Sequence, residues 1–307
     1  MQSSSPAASP LRYSELGSQS QRRSNPAKLG RELLACRPFC AGTQHSHPGE
    51  PLQEPTCLAD SKETQHRNDR YGKIDFRNEH DEGVSTPIPA ATVVLLRDGD
   101  DGPEVLMLRK NSKINFGGMW VFPGGKIDPE DYPADGSLEA AARVAAVREA
   151  AEEANLELSS DEFVWFAHWT PPPGPQKRFA TWFFAAHLRE AYEVRVDKGE
   201  IEDHTWIRPA TALARHSAGE IDIVPPTWIT LYHLSRYQPA SAMLQHFSDN
   251  EAKVYATRVV KTAQGSRVAL WHGDAGYDDW DAEVEGHRHR LLMAKGGFIF
   301  ENTIEPY

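Results

Sequence analysis

Residues 91–97 (ATVVLLR) form an unbroken apolar run that ends on a charge, which predicts a buried strand. The stretch 98–103 (DGDDGP) is turn chemistry, and 105–109 (VLMLR) reads as the returning strand of a hairpin. Trp120-Val121-Phe122 is a short apolar strand that Pro123-Gly124-Gly125 ends abruptly. From Ser137 the period changes. Leu138, Ala141, Ala142, Ala145 and Ala146 recur at helical spacing, the run continues to Ala154, and Asn155 suits a left-handed C-cap. Two strands follow, 163–170 and 179–187, separated by the rigid linker Pro171-Pro172-Pro173-Gly174-Pro175. Residues 209–216 and 227–236 look helical, 254–260 and 267–270 look like strands, and 290–295 with 298–301 suggest a closing hairpin. Strands interleaved with few helices, and without an internal repeat, point to one layered α/β domain.

Composition divides the chain. Residues 1–87 contain no Trp and four aromatics (Tyr13, Phe39, Tyr71, Phe76), with eleven basic and eleven acidic side chains. The remainder holds all eight Trp and the whole formal charge of -11. A segment so poor in apolar bulk cannot offset the entropy of ordering its backbone. Residues 1–86 are therefore expected to be disordered, and 87–307 to form the domain with a C-terminal extension, entered at Pro87-Ile88-Pro89. Cys36, Cys40 and Cys57 all lie in the first segment, so the domain has no disulfide framework. Cys36-x3-Cys40 with His45 and His47 lacks the second ligand pair of a zinc finger and is not read as a metal site.

No run approaches the ~18 apolar residues that span a bilayer. The N-terminus lacks the pattern of a secretory signal, and Ile304-Glu305-Pro306-Tyr307 is no peroxisomal address. A cytoplasmic protein without membrane contact is expected. An acidic domain also argues against a nucleic-acid binder, which needs a basic face.

The chemistry concentrates at the end of the helix. Glu149, Glu152 and Glu153 are related by i, i+3 and i+4, so the three carboxylates project from one side and repel one another. A hard divalent cation such as Mg²⁺ or Mn²⁺, which prefers carboxylate and water oxygens, would resolve the repulsion. A solvated acidic helix face is the alternative that the carboxylates alone leave open.

Phe122-Pro123-Gly124-Gly125 before the helix and Arg148-Glu149-Ala150-Ala151-Glu152-Glu153 at its end resemble the Nudix hydrolase family, whose box runs G-x5-E-x7-R-E-U-x-E-E-x-G-U with U aliphatic. Between 148 and 156 this chain departs twice, with Ala150 for the bulky aliphatic and Asn155 for Gly. Gly125 and Arg148 are 23 positions apart, about nine more than the pattern allows, and the loop-like stretch 128–136 (DPEDYPADG) absorbs the excess. The first acidic position of the box then has two candidates: Asp131 counted from the left, Glu139 from the right. Elongated boxes of this kind occur in the branch that includes the peroxisomal coenzyme A diphosphatases of animals. The resemblance spans 88–305 and implies a Nudix-type α/β/α sandwich with a mixed β-sheet. It also implies hydrolysis of the diphosphate bond of a nucleoside diphosphate linked to another moiety. Mg²⁺ or Mn²⁺ would sit on Glu149, Glu152 and Glu153, Glu152 counting as catalytic too. Arg148 would fix a neighbouring carboxylate, and the backbone at Gly124 and Gly125 would admit the substrate closely. Glu200, in the sequence GEIEDHTWI, is a candidate metal ligand or general base, with Glu202 as fallback.

Substrate positions are fewer. Within 106–125 (LMLRKNSKINFGGMWVFPGG), Arg109 and Gly118-x3-Phe122-Pro123-Gly124-Gly125 keep the register of the extra signature in coenzyme A-cleaving members. Ile114 stands where that signature has Arg. Coenzyme A or acyl-coenzyme A is the preferred substrate; nucleotide sugars, dinucleotides, ADP-ribose or a non-catalytic ligand sensor are the alternatives. Arg178 is a candidate phosphate contact and Phe179 a candidate substrate contact, although most aromatics of RFATWFF should be core. His168, Trp169, Trp228 and the cluster His287-Arg288-His289-Arg290 are read as core, as a solvated turn or as pocket lining. The expected partner is a small nucleoside diphosphate derivative, and a homodimer is compatible with the reading.

Overall fold

In a computed structural model the apolar run after Pro87 forms a long strand, β1 (Ile88–Gly99), which turns back as β2 (Gly102–Lys110). The structure describes residues 82–304 apart from 114–116, 175, 191 and 295–296. Ile114, the three cysteines and the segment 1–81 lie outside the described residues. Two short strands flank Phe122-Pro123: β3 (Trp120–Val121) pairs with β2, and β4 (Gly124–Lys126) pairs with β1. The long helix α1 (Leu138–Ala154) begins where Ser137 Oγ accepts the Ala140 N–H at 3.3 Å and ends at Asn155, whose φ of 57° is left-handed. The left-handed C-cap is the one expected from the sequence, and the helix starts at Ser137 as the change of period predicted.

Strands β5 (Val164–Thr170), β6 (Phe179–His187) and β7 (Ile201–Ile207) follow, then helices α2 (Pro209–Ser217), α3 (Pro225–Leu234) and α4 (Ala240–Asp249). The chain closes with β8 (Lys253–Ala256), β9 (Arg258–Lys261), β10 (Arg267–Leu270), β11 (His289–Ala294) and β12 (Gly297–Asn302). Among the described residues the main sheet runs β3-β2-β1-β6-β5-β8, with β4 also on β1 and β7 also on β2. It is mixed, because β1–β6 and β5–β8 pair in parallel while β1–β2, β2–β7 and β5–β6 are antiparallel. A second, four-stranded sheet runs β12-β11-β10-β9.

Both faces of the main sheet are covered, which explains the unbroken apolar run in β1. Val93 and Leu95 join the core under α1, whereas Val94 and Leu96 join the core built with α3, α4 and the second sheet. Phe183 and Phe184 divide the same way, so RFATWFF supplies core to both sides. Helix α1 meets the sheet through Ala141, Ala142, Ala145, Ala146 and Ala150, all fully buried. Their small side chains allow the helix to lie close against β1 and β4.

Several expectations need correction. The run 254–260 is two strands: β8 pairs with β5, the chain passes through Thr257, and β9 enters the second sheet. The short polar pair Thr257-Arg258 within an apolar run does not by itself reveal the change of sheet. Helix α4 was not foreseen, because only Ala240, Met243 and Phe247 bury a stripe on it. Arg290 is no solvated turn residue; it is buried, with Nε and Nη2 donating to the two carboxylate oxygens of Asp274 at 2.7 and 2.5 Å. Trp169 stacks on Tyr255 with ring centroids 3.8 Å apart in the core, and His168 points to the opposite face, edge-on to Trp182.

Trp271 joins the two sheets. It is fully buried, lies edge-on to Trp169 and Tyr255, and donates its indole N–H to Thr257 Oγ1 at 3.0 Å. Trp271→Ala should cost about 3–5 kcal/mol of stability, measured by denaturant unfolding of the full chain. A loss below about 1 kcal/mol would mean that the second sheet contributes little to the fold.

Candidate active site

The site is built where the C-terminal half of α1 crosses the turn Pro123-Gly124-Gly125. Glu149 and Glu153, one helical turn apart, face the sheet and are buried, Glu153 to 3% exposure. The glycines make this possible. A Cβ on Gly125 would lie 2.3 Å from Glu149 Oε1, and one on Gly124 would lie 2.4 Å from the Ala91 carbonyl oxygen. Glu153 Oε2 accepts the Gly124 N–H at 2.9 Å, tying helix to turn. Burial pushes the Glu153 carboxyl up to about 7, only partly opposed by Lys110 and the Gly124 N–H. Burial raises Glu149 as well, against the pull of Arg148.

Arg148 organises the other side. Its guanidinium donates to both oxygens of Asp131 at 3.1 and 3.0 Å, to Glu149 Oε1 at 2.9 Å and to the Lys126 carbonyl at 3.0 Å. Asp131 stands at the end of a single 3-10 turn, Pro129–Asp131, within the long loop ahead of α1. Burial alone would raise its carboxyl, but Arg148 and the Asp128 N–H hold it below the usual range. Glu139 instead pairs with Arg143 one turn on, at 3.0 Å. The two candidates left open by counting thus have different partners, and Asp131 is the one on Arg148.

Lys110 was not singled out in the sequence, yet it stands at the centre. Strand β2 alternates, so Leu106, Leu108 and Lys110 face α1 while Arg109 faces the other way. The Lys110 Nζ donates to Glu153 Oε1 at 3.0 Å and to Glu200 Oε1 at 2.5 Å. Burial would lower its pKa, but Glu153 and Glu200 outweigh that and raise it. The backbone of Glu200 is held in turn: Asp197 Oδ2 accepts its N–H at 2.8 Å, and its carbonyl accepts the Asn111 N–H at 2.8 Å.

Residues 86–226 match the family model described as NUDIX domain. That stretch spans β1 to the start of α3 and is similar to a Nudix domain. Among solved structures it is similar to a NUDIX hydrolase from Alicyclobacillus acidocaldarius, at 25% identity and a TM-score of 0.47, over 52% of this chain and 96% of that one. It is also similar to the NUDIX domain of Shewanella oneidensis NrtR complexed with ADP ribose, at 18% identity and a TM-score of 0.38, over 54% of this chain and 95% of that one. A third is a C. elegans Ap4A hydrolase, at 20% identity and a TM-score of 0.33, over 53% of this chain and 96% of that one. No curated protein matches the chain. The fold is a layered α/β arrangement, a mixed sheet with α1 on one face and α3 and α4 on the other. Residues 227–304 lie beyond the matched stretch, yet Ile229, Leu231, Met243, Tyr255 and Trp271 complete the core on one face of the main sheet.

The structure brings together Arg148, Glu149, Glu153, Gly124, Gly125 and Glu200. Glu152, on the flank of α1, has a side chain 62% exposed and 3.6 Å from Arg148 Nη1. Arg109 lies on the opposite face of the sheet, 6.0 Å over Trp120 and within 3.8 Å of Glu202 and Asp203. Arg178 is buried and donates to the carbonyls of Ser85 and Pro171, fastening the entry of β1 to the proline loop. Phe179 opens β6 opposite Ile88, with the Lys177 ammonium 5.3 Å from its ring. The alternation of β2 was the signal that separates Lys110 from Arg109. Among the described residues no three His, Cys, Asp or Glu side chains are already disposed to grip a metal ion. The donor chemistry nonetheless fits a divalent cation. Two buried carboxylates with raised proton affinity lie against the Gly124-Gly125 turn, and they are the hard oxygen donors such an ion prefers.

Two outcomes follow from this geometry. Asp131→Asn should cost about 3 kcal/mol in thermal or denaturant unfolding by leaving Arg148 half-paired, whereas Glu139→Gln should cost no more than about 0.5 kcal/mol. Equal effects would contradict the assignment of Asp131 to Arg148. The second concerns pH. Because Glu153 has its folded-state pKa raised from 4.5 to about 7, the folded protein holds an extra proton between these values. In EDTA, stability should therefore be greatest below that window and fall as pH rises through it, by about 1.4 kcal/mol per unit at most from this group. Unfolding curves of Glu153→Gln should show a flatter dependence, and an identical slope would refute the shift.

Proposed function

We propose that this protein is a divalent-metal-dependent hydrolase of the diphosphate bond in a nucleoside diphosphate joined to another group. The observation that carries the reading is the pair Glu149 and Glu153, buried against the side-chain-free turn Gly124-Gly125 and each oriented by a separate donor. A helix placing two carboxylates there is costly to the fold unless positive charge meets them, and a catalytic site accounts for that cost.

Mg²⁺ or Mn²⁺ held by Glu149 and Glu153, with Glu152 or Glu200 as a further ligand, would neutralise phosphate oxygens and acidify a water. The chain's own residues do the rest. Gly124 and Lys110 fix the Glu153 carboxylate from two sides, and Arg148 fixes Glu149 while Asp131 holds Arg148 in place. The backbone at Gly124 and Gly125 allows the diphosphate to approach the carboxylates closely. The half-exposed carboxylate of Glu200 takes the proton of the attacking water. Water adds its oxygen to one phosphorus, the bridging oxygen leaves with the other, and two phosphate monoesters result.

Coenzyme A or acyl-coenzyme A is our preferred member of this substrate class, on the register of Arg109 with Gly118 and the FPGG turn. Phe179 is proposed as a substrate contact; Arg109, on the face of the sheet away from Glu149 and Glu153, is proposed only as a contact to a part of the substrate remote from the diphosphate. Arg178, spent on two backbone carbonyls, is proposed as a contact only through the proline loop that it fastens. No helix among the described residues is long and apolar enough to cross a membrane, and we propose a cytoplasmic enzyme.

The test is incubation with Mg²⁺ or Mn²⁺ and coenzyme A, ADP-ribose, a nucleotide sugar or a dinucleoside polyphosphate, with products identified by mass. Cleavage at the diphosphate is expected, with release of 3′,5′-ADP if coenzyme A is the substrate. Glu153→Gln should lower turnover by more than about a hundredfold without unfolding the chain. Tight ligand binding without turnover of any compound would show a sensor and overturn the enzyme reading.

A further inference from the structure

Lys110 is a buried lysine, its side chain only 11% exposed. Lysines are rarely buried unless paired, and this one is paired twice, to carboxylates on two different elements: Glu153 on α1 and Glu200 ahead of β7. Its backbone is locked as well. The Lys110 N–H donates to the Met119 carbonyl at 3.0 Å, and its own carbonyl accepts the Gly118 N–H at 2.9 Å. The ammonium is thus delivered to one place by a rigid strand.

Its partners set it apart from Arg148. The main anchor of Arg148 is Asp131, a carboxylate on the loop outside the proposed metal set. Both partners of Lys110 are themselves candidate ligands. Glu153 has two oxygens; one accepts the Gly124 N–H and the other accepts Lys110. A cation approaching Glu153 from the side of Glu200 meets an ammonium already bonded to both groups.

We propose that Lys110 is a resident counter-ion that competes with the divalent cation for Glu153 and Glu200, and so sets how tightly the site takes its metal. This rests on the metal reading given above. The competition follows from charge and position. An ammonium has three donors and no acceptor, so it holds carboxylates but gives a metal nothing to bind. Two positive charges within a few ångströms in a partly desolvated site repel strongly. The same ammonium keeps Glu153 and Glu200 together when no metal is bound, which limits the cost of burying Glu153. Lys110 is a positioning residue, and its effect appears in metal affinity with a sign opposite to that of a merely structural one. A lysine that only shaped the site would, when removed, leave the carboxylates disordered and weaken binding.

The full chain, stripped with EDTA and desalted, is titrated with Mn²⁺, and free Mn²⁺ is read by electron paramagnetic resonance. Lys110→Met should bind Mn²⁺ about tenfold or more tighter than wild type, since the competing charge is gone. Lys110→Arg, which keeps the charge, should stay within about threefold of wild type. The melting temperature of Lys110→Met should fall in EDTA and recover on addition of Mn²⁺. If Lys110→Met does not fold, Lys110→Gln, a donor without the charge, carries the same expectation of tighter binding. Unchanged or weaker Mn²⁺ binding by the folded uncharged variant, with wild type binding normally, overturns the inference alone. Failure of wild type to bind Mn²⁺ overturns the metal reading and this inference with it.

Discussion

Everything at the candidate site depends on how closely α1 lies against the glycine turn. A helix face of Ala141, Ala142, Ala145, Ala146 and Ala150 gives up apolar bulk, and with it the burial energy that Leu or Ile would supply. What it gains is proximity. At that distance, Glu153 reaches the Gly124 N–H, and Glu149 occupies the space a Gly125 side chain would fill. Two carboxylates are thereby taken out of water, and their cost is met by Lys110 from β2 and by Arg148 from the helix itself. The long loop ahead of α1 then has a function of its own, because its 3-10 turn delivers Asp131 to hold Arg148.

Much of this could be read from residues alone, for identifiable reasons. Helix α1 announces itself through its period, its Ser137 cap and its left-handed Asn155, all local signals. The carboxylates and glycines stand at fixed distances along the chain, so spacing finds them. Three-dimensional choices were less visible. Whether Asp131 or Glu139 meets Arg148 depends on the path of a stretched loop, which counting from either end does not give. Lys110 follows Arg109 directly, and a charge at that point of the chain says nothing of which face it takes. The alternation of Leu106 and Leu108 did contain that answer. Arg178 looked available because its strand starts at a loop, yet two backbone carbonyls use its guanidinium.

The C-terminal part shows a different limit. Residues 254–260 (VYATRVV) pass from one sheet to another, and the only local mark of the division is the polar pair Thr257-Arg258 between two apolar stretches. Burial on both sides of the main sheet demands a second layer, and α3, α4 and the second-sheet region supply it through Ile229, Phe247 and Trp271. The added part closes the face of the sheet opposite α1. Its buried Asp274–Arg290 pair and the small core around Val260, Val268 and Leu270 hold the second sheet in shape.

Glu149 and Glu153 are proposed as the heart of a divalent-metal site rather than a neutralised acidic patch. Crystals of the full chain grown with Mn²⁺ and measured at the manganese absorption edge address this proposal most directly. An anomalous peak is expected within coordination distance, about 2.0–2.3 Å, of carboxylate oxygens of both Glu149 and Glu153. A crystal containing Mn²⁺ in which no peak touches either residue, or in which the ion sits elsewhere with Lys110 still bridging Glu153 and Glu200, would contradict the proposal.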